Sequence, residues 1–114
     1  MLSTKGVSMP DYDSFEEFRD PQTYDLECDA FDADFPVIEQ WAEITGGPLL
    51  DLACGTGRMS IHMAKRGYDV TGIDIVPEMV VYGREKAARH DVTVDWVVAD
   101  ARAFHLKRQF PFVF

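Results

Sequence analysis

The stretch "LLDLACGTGRMS" at residues 49–60 constrains this chain more than any other. A short apolar run broken by one acid gives way to Cys-Gly-Thr-Gly, and then to a helical pattern. Gly55 and Gly57 let the backbone take dihedrals closed to residues that carry a side chain. The stretch therefore reads as a buried strand over 49–53, a tight turn, and a helix over 57–66. Gly67 stands where a C-terminal glycine cap belongs. Residues 69–75 are rich in β-formers (Val70, Thr71, Ile73, Ile75). Pro77 then opens a second helix, at the position where its missing N–H costs nothing, and that helix runs to about Arg89. Residues 92–99 read as a third strand and 110–114 as the start of a fourth. Upstream, Val37, Ile38, Trp41 and Ile44 fall at helical spacing over 35–44, and Gly46-Gly47-Pro48 ends that helix. Strands alternating with helices predict an α/β fold with a parallel sheet and right-handed crossovers.

At 114 residues this is one domain at most. Residues 1–10 are expected to fray. Residues 11–34 interleave acids with Tyr12, Phe15, Phe18, Tyr24 and Phe31, which suggests short helices laying aromatics on a core. Trp41 and Trp96 read as core residues. Arg58, Arg84, Lys86 and Arg89 read as solvated charges. Leu49, Leu50, Leu52, Val97 and Val98 suggest strands apolar on both faces, as buried parallel strands are. Helices for one of those faces are not visible, so a bare apolar face is expected.

Three acids stand at or near the ends of these strands. Asp51 lies in the first, Asp74 ends the second, and Asp100 follows the third. Ligands of open α/β sheets bind outside the carboxyl ends of the strands. An ionised carboxylate only accepts hydrogen bonds, so three of them around a glycine turn suggest a ligand with hydroxyl and amine donors. A phosphate loop of the G-x-x-x-x-G-K-[ST] type is excluded, because the lysine is missing. The dinucleotide fingerprint G-x-G-x-x-[GA] is closer. Gly55 and Gly57 match it and Asp74 suits a ribose, but Ser60 occupies the third position. His62, His90 and His105 form no ligand-spaced set with Cys28 or Cys54, so no metal is expected. The two cysteines, far apart and outside any C-x-x-C pattern, read as free thiols of a cytoplasmic protein.

Together, "LLDLACGTGR", "VTGIDIVPEM" and "VVADAR" resemble the first three motifs of class I S-adenosyl-L-methionine-dependent methyltransferases. The resemblance covers roughly residues 20–114. It extends weakly to "PQTYDLECDAFDADF", which looks like the N-terminal helical segment of small-molecule members. It implies a Rossmann-like doubly wound parallel sheet, here incomplete. Residues 46–114 would supply a cofactor-binding core of three to four strands, and residues 1–45 an N-terminal helical segment. By the same resemblance Asp51 would orient the methionine end of the cofactor, often through water. Gly55 and its neighbours, Ala53 among them, would contact the methionine portion, and Gly57 would permit the close turn. Asp74 would accept from both ribose hydroxyls, and Ile75 would pack on adenine. Asp100 would accept from the adenine amine, with the Ala101 N–H near a ring nitrogen. Tyr24 could line the cofactor or acceptor pocket. Val76 departs from the Ser or Thr often found at the start of the second helix. No catalytic base is assigned, since methyl transfer rests largely on proximity and orientation.

The formal net charge of −9, from 20 acids and 11 bases, argues against a nucleic-acid partner, which needs a basic stripe. No apolar window is long enough to span a membrane, and no secretory signal is visible. The leading expectation is a methyltransferase acting on a small molecule, or its cofactor-binding fragment. An inactive cofactor-binding module and a nicotinamide-dependent oxidoreductase half-domain are the alternatives. Self-association is expected through the bare sheet face or through the edge carrying Phe110, Phe112 and Phe114.

Overall fold

A computed structural model describes residues 20–114. Helix α1 spans Pro21–Cys28, with Asp20 capping it by accepting the Thr23 N–H and Pro21 in its first turn. Helix α2 spans Phe35–Thr45 and stops at Gly46, whose φ of +74° no longer fits a helix. Strand β1 (Leu49–Leu52), helix α3 (Arg58–Lys65), strand β2 (Val70–Asp74), helix α4 (Pro77–Arg89), strand β3 (Asp95–Val98) and strand β4 (Phe112–Val113) follow. All pairings are parallel and the order across the sheet is β3-β2-β1-β4. The elements expected from the sequence are therefore present, with β3 and β4 shorter than expected. The aromatics at Tyr12, Phe15 and Phe18, and the fraying expected for residues 1–10, lie outside the described residues.

The register explains the core. Leu49 stands beside Val70 and Asp51 beside Gly72. Leu49 and Val70 join Ala42, Met59, Met63 and Val94 in the main apolar cluster, with Phe35, Ile38 and Trp96 packed against it. Strand side chains alternate between faces, so Leu50 and Ile73 point to the other side, yet they are only 3% and 0% exposed. The sheet centre is thus covered on both sides, and the bare face expected from the sequence is not found there. The connection from β3 to β4 crosses from one edge of the sheet to the other. Arg108 within it reaches Asp69 at 2.8 Å and Asp95 at 3.7 Å.

Three further expectations need correction. Trp41 is 53% exposed rather than core. Phe35, Ile38 and Ala42 form an equally good helical stripe, and the small Ala42, fully buried, lets α2 approach closely on that side. Lys86 is 5% exposed rather than solvated. Arg58 forms a two-pronged ion pair with Asp34, at 2.8 Å to each carboxylate oxygen, and also donates to the Phe31 carbonyl. Trp96 does pack inward: an added Cβ at Gly57 or Gly83 would meet its ring at 2.4 or 2.8 Å.

Among the described residues no helix is long and apolar enough to cross a membrane, and no cluster of three metal-binding side chains occurs. Cys28 and Cys54 are both unbridged, and burial pushes the Cys54 thiol well above its usual range.

Candidate functional site

The turn after β1 is built from backbone that only special residues adopt. Gly55 and Gly57 have φ of +60° and +86°, and Ala53, which carries a Cβ, is held at +54°. A left-handed residue with a Cβ costs about 1–2 kcal/mol, and such strain gathers where a backbone must face a ligand. The turn is hooked to β2 by the Cys54 N–H on the Ile73 carbonyl, at 2.9 Å.

Asp74, at the end of β2, joins the turn to the start of α4. Its Oδ2 accepts from the Gly55 N–H at 2.8 Å and its Oδ1 from the Val76 N–H at 2.9 Å. The Val76 side chain makes no capping bond, so the carboxylate two residues earlier satisfies an N–H at that helix start. A carboxylate offers about four acceptor positions. Two are spent on orientation, which leaves acceptor capacity for a ligand.

Two hollows meet at Asp74. One, of about 230 Å³, is lined by Tyr24, Ala53, Gly55, Asp74, Ile75, Val76 and Met79. The other, of about 280 Å³, is lined by Ala53, Asp74, Ile75, Ala99, Asp100, Ala101 and Arg102. They share Ala53, Asp74 and Ile75, so they adjoin along the carboxyl ends of the strands. Tyr24 rests directly on the turn: a Cβ on Gly55 would lie 2.9 Å from its hydroxyl. Burial is the main cause that raises the Tyr24 phenol above its ordinary pKa.

Of the residues singled out from the sequence, Tyr24, Ala53, Gly55, Asp74, Ile75, Asp100 and Ala101 line these hollows. Asp51 and Gly57 do not. Asp51 lies behind the turn, 6% exposed, with its Oδ2 taking the Ser60 hydroxyl at 2.6 Å. Burial pushes its carboxyl up to about 7, against the opposing pull of the Ser60 bond and the Arg58 charge. Gly57 serves packing, making room for Trp96. Ser60, the residue that breaks the dinucleotide fingerprint, is thus the hydrogen-bond partner of the buried acid. Asp100 is held by Arg102, whose guanidinium and backbone N–H both donate to it, and these bonds bring its carboxyl down to about 2. Sequence reasoning missed Val76, Met79, Ala99 and Arg102 as lining residues. Met79 follows Val76 by one helical turn, a spacing that could have revealed it.

A model of the family described as "Methyltransferase domain" matches residues 49–114. The curated relative GWCH70_2453 of Geobacillus sp. (strain WCH70) is 29% identical over 86 residues, 75% of this chain and 35% of that protein. The chain therefore spans about a third of that relative's length. Among solved structures, the PH0226 protein of Pyrococcus horikoshii OT3 is 27% identical with a TM-score of 0.65, over 92% of this chain and 40% of that one. The tRNA (uracil-54, C5)-methyltransferase of Pyrococcus abyssi, solved with S-adenosyl-L-homocysteine, is 26% identical with a TM-score of 0.58, over 68% of this chain and 20% of that one. The last comparison corrects the expectation of a small-molecule acceptor with nucleic acid excluded, because a protein this chain resembles is itself a tRNA methyltransferase. Net charge misled here. It describes the present chain, which matches only a fifth of that enzyme, and says nothing of where an acceptor is held.

Proposed function

The chain belongs to the methyltransferase-domain family, and from that premise we propose that it is the methyl-donor-binding part of an S-adenosylmethionine-dependent methyltransferase. The observation that carries this reading is the Asp74 carboxylate, fixed by the Gly55 and Val76 N–H groups where the two hollows meet. S-adenosyl-L-methionine is the cofactor of the family, and the donor set here suits it. Asp74 has acceptor capacity for vicinal ribose hydroxyls, and Ile75 offers an apolar surface beside it for adenine. Asp100, an anion in the second hollow, can accept from the exocyclic amine, with the Ala101 N–H beside it. Ala53 and Gly55 face the first hollow with backbone, suited to the methionine portion, and Tyr24 closes that side. Asp51 acts from behind the turn on the ammonium end, and Gly57 fixes the path of the chain into α3.

When bound, the cofactor supplies an electrophilic methyl group on a sulfonium. The work of the residues described is orientation and exclusion of water. No base among them is assigned. An acceptor screen includes RNA as well as small molecules.

The reading is tested by thermal shift of the 114-residue chain with S-adenosylmethionine, S-adenosylhomocysteine and NAD. Either adenosyl ligand at 100 times its Kd should add about 2.7 kcal/mol of stability, with a smaller effect from NAD. Greater stabilisation by NAD would turn the reading to an oxidoreductase half-domain.

The Asp51 carboxyl, raised to about 7, makes affinity depend on pH. A ligand ammonium favours the ionised acid, so binding releases a proton wherever the free carboxyl is protonated. Affinity for S-adenosylhomocysteine should therefore rise by up to about tenfold from roughly pH 6 to roughly pH 7.5 and then level off. Titration calorimetry across that window checks it. The Asp51→Asn variant should bind weakly and without that slope, and a wild-type affinity independent of pH would remove Asp51 from the site.

A further inference from the structure

Helix α1 carries Tyr24, yet none of its residues is buried, and Leu26 is 80% exposed. Apolar burial does not explain how so short a helix is held in place. A polar cluster does. The Asp25 Oδ1 accepts from the Thr56 hydroxyl at 2.8 Å and from the Lys86 ammonium at 2.7 Å. Its Oδ2 lies 3.4 Å from the Tyr82 hydroxyl. Asp29, the residue that caps the C-terminal end of α1, takes a second bond from Lys86. Lys86 belongs to α4 and Thr56 to the glycine turn, and they are only 5% and 1% exposed. A buried ammonium is costly unless paired and hydrogen-bonded, so Lys86 strongly favours the arrangement in which α1 is docked. Tyr24 is the neighbour of Asp25 and sits on Gly55, where no Cβ fits.

We propose that Lys86 and Asp25 form a buried clamp that positions helix α1, and through it Tyr24, as the wall of the donor cavity. This rests on the donor-site reading above, and assigns Lys86, which does not line either hollow, as a positioning residue. If the clamp is lost, α1 is docked in only a fraction of molecules, and the apparent affinity falls by that fraction.

The test uses the 114-residue chain with S-adenosylhomocysteine as probe. Lys86→Met should weaken binding about tenfold or more, and Lys86→Arg should recover most of the loss. In a Tyr24→Ala background Lys86→Met should add little, because the residue it positions is gone. Hydrogen exchange without ligand gives a second readout: amides of residues 24–28 should exchange at least about tenfold faster in Lys86→Met, with α3 and the sheet unchanged. If Lys86→Met does not fold, Asp29→Asn, on the more exposed side of the clamp, should show the same pattern more weakly. Wild-type affinity in Lys86→Met, full additivity with Tyr24→Ala, or unchanged exchange at residues 24–28 would each overturn the clamp. Failure of the wild-type chain to bind any adenosyl ligand would overturn the donor reading instead, and the exchange measurement alone would then decide the clamp.

Discussion

Asp74→Ala is expected to weaken S-adenosylhomocysteine binding by about one to two decades, since a hydrogen bond to a charged group is worth roughly 1.5–3 kcal/mol. The geometry adds a second source of loss. The same carboxylate holds the Gly55 N–H and the Val76 N–H, so the variant also releases the glycine turn from the start of α4. Asp74→Asn separates the two contributions. Its amide keeps one acceptor oxygen and places a donor where the other stood, so it should fall between wild type and alanine only if one anchor suffices. Titration calorimetry reads the affinity, and circular dichroism checks that the fold persists. Unchanged affinity in Asp74→Ala would remove Asp74 from the ligand.

The second large effect concerns stability. Gly57→Ala puts a methyl group on a residue with φ of +86°, at 2.4 Å from the Trp96 ring. The left-handed conformation and the forced repacking together should cost about 3 kcal/mol. That corresponds to a fall in melting temperature on the order of 15 °C for a chain of this size. Adding Trp96→Leu should recover the packing part of the loss and leave the conformational part, so the two changes should not add. A Gly57→Ala variant melting with the wild type would mean that the turn does not need glycine there.

Much of this was legible in the sequence because it is local. The strand, glycine turn and helix at 49–66, the Pro77 helix start and the Gly67 stop each depend on a few adjacent residues, and the observed elements follow them. The acids at the strand ends were legible for the same reason, although only Asp74 and Asp100 reach the hollows. What escaped depends on distant partners. Lys86 and Asp25 are 61 positions apart, and Arg58 and Asp34 are 24 apart, so a charge that looks solvated along its own helix is paired in space. Trp41 escaped because α2 offers two overlapping apolar stripes, and only its docking through Ala42 decides between them. Ser60 looked like a defect in a dinucleotide pattern until the Asp51 carboxyl was found 2.6 Å away. The exclusion of nucleic acid rested on whole-chain charge, which carries no information on where an acceptor is held, and a resembling protein is a tRNA methyltransferase.

The most direct measurement is amide NMR of the 114-residue chain titrated with S-adenosylhomocysteine. A donor site where described predicts the largest shift changes at residues 53–57, 74–76 and 99–102, in one saturable process. Changes confined elsewhere, such as the groove between Glu39, Glu43 and Arg66, or no change at millimolar ligand, would contradict it.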